Sequence, residues 1–145
     1  NDDFDEVIQK APSILLGTNK FTNITISMVD DEGIMRPISN KGSHTLGSWE
    51  ITKDGEGDGA PGCIKESLEK KGEVIVEEQK PYCDTCPVSH SIQDHQTIVI
   101  PMKDKYSIMG TVRACYEPDL EIDERTLELL YEVADDLVYA KNKNK

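Results

Sequence analysis

The chain is short of basic charge and of cysteine, and each shortage closes off a class of function. Sixteen Lys and Arg stand against 28 Asp and Glu, a formal net charge of −12. That balance leaves no basic face for a phosphate backbone, and anionic membranes would repel it. No apolar run approaches the ~20 residues of a spanning helix, and no signal-peptide pattern opens the sequence. The expected compartment is the cytoplasm. Four cysteines, at 63, 83, 86 and 115, are too few and too irregular for a secreted disulfide scaffold. A single domain of 145 residues buries a core without staples, so reduced thiols are the default. Also missing are GxSxG, a Walker A loop and HExxH. The stretch GEGDGAPG is glycine-rich but lacks dinucleotide or phosphate-loop spacing, and the DEG and GDG turns are too short for a calcium loop. The chain opens on Asn1 rather than Met and reads as a piece of a longer protein.

What is present alternates between helical and strand patterning. Residues 2–16 begin with acids suited to a helix start and carry Phe4, Val7, Ile8 and Leu15 near helical spacing, with Pro12 placed to interrupt or end the helix. TNITISMV (22–29) alternates as a half-buried strand and leads through DDEG into IMRPI, a hairpin. Residues 40–62 read as a long mobile loop whose one large residue, Trp49, must bury itself. CIKESLEK (63–70) is a helix for Gly72 to cap, and VIV (74–76) is a short strand. TIVIPM (97–102) and YSIMGTVRACY (106–116) are two more strands, with Pro101 restricted to a strand end or bulge. In the second, Val112, Ala114 and Tyr116 share one parity and Thr111, Arg113 and Cys115 the other. A final helix starts at an Asp123 N-cap and runs to about Lys141. Its buried face is Leu127, Leu130, Tyr131, Ala134, Leu137 and Val138; Leu129, Val133 and Ala140 form a second stripe. That stripe is either a wider core face or a surface for a twin helix. Five strands with helices at both ends and in the middle make the fold class α+β, with a mainly antiparallel sheet.

Three segments carry a family resemblance across nearly the whole chain: GCIKESLEKKGEVIVEE, TIVIPMKDKYSIMGTV and EIDERTLELLYEVADDLVYA. The first resembles the helix, glycine and strand that lead into the pocket of GAF domains, the ligand-sensing modules of signalling proteins. The second resembles their two core strands, including an apolar residue and Gly after the hairpin, here Met109-Gly110. The third resembles their closing helix, which leads on to an output domain. CPVSH is similar to GAF modules in sensor histidine kinases of anaerobic microbes. The signature of the cyclic-nucleotide-binding members is missing, and no Cys is followed by the His of the bilin-binding members.

PYCDTCPVSH (81–90) concentrates the chemistry. Cys83, Cys86 and His90 form C-x2-C-x3-H, three ligands of a metal site that Cys63, His95 or Cys115 would complete. A redox reading places Cys86 at the N-cap of a short helix, PVSHSIQD, with Pro87 in its first turn. The positive helix end would favour the thiolate, and Cys83 would resolve it as a disulfide. A third reading makes one cysteine inert and the other inward-packed. Cys115 is expected as a small buried residue facing a pocket or a helix. His44, His90 and His95 are the candidate axial ligands for haem, which the resemblance implies for some members. The ligand and redox candidates are therefore Cys63, Cys83, Cys86, His90, Trp49 and Cys115, in a pocket walled by residues 40–62, the helix from Cys63 and residues 81–95.

The resemblance implies a GAF/PAS-like fold, a central sheet of five to six strands with the N- and C-terminal helices on one face and a loop-and-short-helix pocket on the other. It also implies a non-enzymatic sensory domain that binds a small molecule or reads redox state. Its signal would pass through the closing helix, within a homodimer joined by the terminal helices, to a kinase domain in the parent chain. Nucleic acid and membrane are not expected partners. The cofactor is open between none, haem and a metal ion. Two alternatives stand beside this reading: a thiol-based methionine-sulfoxide reductase using Cys63, Cys83 and Cys86, and a ligand-free dimerising spacer.

Overall fold

The computed structural model describes residues 2–42, 49–57, 59–78, 80–86, 96–105 and 107–143. Helix α1 (Asp2–Leu16) buries Phe4, Ile8, Ala11 and Leu15, the 3-4 spacing of one face. It continues through Pro12, where the sequence allowed a break. A mid-helix proline costs ~3 kcal/mol, and full burial of a leucine such as Leu15 returns a comparable ~1.5–3 kcal/mol one turn later.

Six strands form one antiparallel sheet in the order β3-β2-β1-β6-β5-β4. They are β1 (Asn23–Val29), β2 (Ile34–Gly42), β3 (Ile51–Thr52), β4 (Val74–Val76), β5 (Gln96–Lys103) and β6 (Ile108–Tyr116). The β1–β2 hairpin turns at Asp30, whose carboxylate accepts from the backbone N–H groups of Glu32 and Ile34. Strand β3 comes from the segment read as loop. Pro101 sits on β5 beyond the last residue paired with β4, just before a register irregularity at Met102/Lys103, so its missing N–H disrupts little. Gly110 lets β1 and β6 approach closely, since a side chain there would strike the Ser27 carbonyl.

One sheet face packs on α1 and on α3 (Glu124–Lys143) through Ile24, Ile26, Ile98, Ile100, Val112 and Tyr116. Asp123 caps α3 as expected, accepting from the Thr126 N–H at 2.8 Å. Val133 and Ala140 of the second stripe are buried in the same cluster. The opposite face is covered by α2 (Gly62–Lys70), a 3-10 turn (Pro81–Thr85) and the chain around Trp49 and Ile51. α2 ends on Lys71 in the left-handed conformation at φ 57°, not on Gly72, whose N–H instead bonds the Ser67 carbonyl. With both faces covered, β1 is buried on both sides rather than half-buried. Among the described residues, no helix is long and apolar enough to cross a membrane.

Candidate functional site

The face turned towards α2 has a polar floor. Register places Asn23 opposite Cys115, Thr25 opposite Arg113 and Ser27 opposite Thr111; β5 adds Thr97 beside Cys115 and Val99 beside Arg113. Alternation fixes these residues to one face, because their neighbours Ile24, Ile26, Val112 and Ala114 are spent on the helix side. All six polar residues of the three β1–β6 pairs that belong to this floor are buried. The Thr25 hydroxyl lies 2.6 Å from Asn40 Oδ1 and 3.2 Å from Asn23 Oδ1, tying one side of the floor together.

Arg113 occupies the middle. Its residue is 6 % exposed, and its guanidinium donates from Nη1 to Cys115 Sγ at 3.2 Å, with Cys63 near enough to interact with it electrostatically. Thr97 Oγ1 lies 3.7 Å from Cys115 Sγ. Burial works against the Arg113 charge, but the sulfurs of Cys115 and Cys63 outweigh it, and the guanidinium stays firmly protonated. Burial pushes the Cys63 thiol up, and Arg113 offsets only part of that. Four buried polar atoms, Ser27 Oγ, Thr111 Oγ1, Arg113 Nε and Trp49 Nε1, have no partner among the described residues.

The roof is held by a tight contact. The Tyr82 ring lies against Gly62 so closely that no side chain could replace the glycine hydrogen, and Tyr82 donates to Glu66 Oε1 at 2.9 Å. This clamps the 3-10 turn onto α2. Cys83 and Cys86 are thereby brought towards Cys63, whose environment includes Arg113, Cys86 and Cys115. Cys63, Cys83 and Cys115 are buried, Cys86 is half-buried, and all four are free thiols.

Of the residues singled out in the sequence, the structure gathers Cys63, Cys86 and Cys115 around Arg113, puts Cys83 in the turn above and buries Trp49 in the same cluster. Cys86 closes the 3-10 turn as its C-cap. The helix expected over PVSHSIQD, with His90 and His95, lies outside the described residues, as does His44. Among the described residues, no three of His, Cys, Asp and Glu are placed to share a metal ion. Sequence reasoning did not single out Arg113, Ser27 and Thr111, which form the middle of this floor. The available signal was the polar parity of β6, which shares its face with the polar positions of β1.

Solved structures that share this fold include GAF domains. The GAF domain region of a putative membrane protein from Geobacter sulfurreducens superposes with a TM-score of 0.74 at 19% identity, covering 97% of this chain and 93% of that one. The GAF domain of a two-component sensor histidine kinase from Bacillus halodurans gives 0.68 at 16% identity, over 97% and 95%. The GAF domain of an Acinetobacter phosphoenolpyruvate-protein phosphotransferase gives 0.68 at 12% identity, over 96% and 90%. No family model and no curated protein matches the sequence. The chain therefore has the GAF fold, with a curled antiparallel six-stranded sheet and three α-helices among the described residues.

Proposed function

We propose that this chain is the sensory domain of a signal-transduction protein, binding a small molecule over the Arg113 floor. The observation that carries the reading is the set of unpartnered Ser27, Thr111 and Arg113 atoms buried on one sheet face. Leaving such groups unpaired costs about 1–3 kcal/mol each, and a bound ligand offsets that cost. The parent protein is read as a histidine kinase, as in the Bacillus neighbour. Terminal helices α1 and α3 carry the signal between two copies of the domain. Binding must favour one arrangement of those helices, since a ligand with no preference shifts nothing.

The domain itself is read as a sensor rather than a catalyst. The gathering of Cys63, Cys86 and Cys115 supports a second, thiol-based reading, in which the same site reports redox state. The test uses protein purified without oxygen: metal analysis, an absorption spectrum, and emission of Trp49, the single tryptophan, during ligand titration. Saturable change in Trp49 emission supports the sensory pocket, and a Soret band or bound iron would identify its occupant. Steady reduction of free methionine sulfoxide that disappears in Cys86→Ser would overturn the sensory reading in favour of the reductase.

A further inference from the structure

We propose that the pocket takes a small molecule bearing one carboxylate, with Arg113 as its anchor; this rests on the ligand-pocket reading above. Arg113 is a buried cation, and none of the ion pairs among the described residues involves it. In a chain with 28 acidic residues, an internal carboxylate for it would have been easy to supply. Its described neighbours are thiols instead, which are weak acceptors. Burial pushes the Cys63 thiol up, which favours its neutral form beside the guanidinium.

The Nε atom is the unpartnered donor. Nε and one Nη form the guanidinium edge that meets both oxygens of a planar carboxylate. The charge count also favours a single carboxylate. Arg113 is the one Lys or Arg among the described buried residues, so a doubly charged phosphate would enter under-neutralised. The second polar contact lies two residues along β6 and its β1 partner, at Thr111 and Ser27, about 7 Å away at strand rise. A molecule of a few carbons, with an oxygen-bearing far end, reaches both. Val99, beside Arg113, and Trp49 on the covering side supply apolar surface on the same face.

The experiment titrates the intact chain, at fixed ionic strength, with acetate, propionate, lactate and benzoate. Their uncharged amides, inorganic phosphate and sulfate are run alongside. Melting temperature and Trp49 emission are the readouts. Carboxylates should raise the melting temperature saturably, with lactate above propionate, while the amides and the inorganic anions do not. Arg113→Met should melt no lower than the wild type without ligand and lose the response. Arg113→Lys, which keeps the charge but not the fork, should weaken apparent affinity at least tenfold. Equal responses to acids and amides would overturn the carboxylate assignment while leaving the pocket reading intact, as would a response to phosphate alone. A large fall in the melting temperature of unliganded Arg113→Met, with Arg113→Lys still fully responsive, would show an internal role for the charge and overturn it too. Silence from every probe, charged or neutral, would contradict the pocket itself.

Discussion

Burial and the Arg113 charge pull the Cys63 thiol in opposite directions, and burial wins. The folded state thus prefers the neutral thiol more than the unfolded chain does. This preference contributes its full stability below the ordinary thiol value of about 8.5 and is lost as pH climbs through the raised folded value. Stability should therefore decline above about pH 9, and the decline should be shallower in Cys63→Ser, measured by urea unfolding across pH. An identical slope in both proteins would contradict the assignment. Tyr116 and Tyr131, each pushed up to about 12 with burial the largest cause, act in the same direction only at higher pH. The cysteines were legible in the sequence because thiols announce their chemistry. Arg113 was not: an arginine on an alternating strand reads as solvent-facing until a second layer is known to cover it. Ser27 and Thr25 were hidden in the same way.

Elements were more legible than sites. The 3-4 spacings of α1 and α3 and the alternation of β5 and β6 directly reflect which face each element buries. The short strand β3 was not readable, because two residues carry no period. Of the second stripe of α3, Val133 and Ala140 are buried in the core cluster but also form the floor of a groove between α1 and α3, and Leu129 is half-buried. What remains outside is a groove of about 440 Å³ between the two helices, with Ile14 56% and Tyr139 70% exposed beside it. On the dimeric reading this groove seats a second copy. Ile14→Glu combined with Tyr139→Ser should then shift sedimentation from dimer to monomer without lowering the melting temperature of the monomer. A wild-type chain that sediments as a monomer at every concentration would end that reading.

At the scale of the whole molecule, two cores of different character share one sheet. Among the described residues the helix side is mainly apolar, whereas the α2 side buries hydroxyls, thiols and a guanidinium that are not all paired. The fold gives up stability on that side, and on the sensory reading it does so to bind a ligand. Thr111→Val tests this most directly, since it removes an unpartnered buried hydroxyl and keeps the shape. The ligand-free variant should be more stable than the wild type, by about 1 kcal/mol in urea unfolding, and should respond more weakly to ligand. A less stable variant would mean that the hydroxyl is already satisfied inside the fold, and the floor would then be structure rather than site.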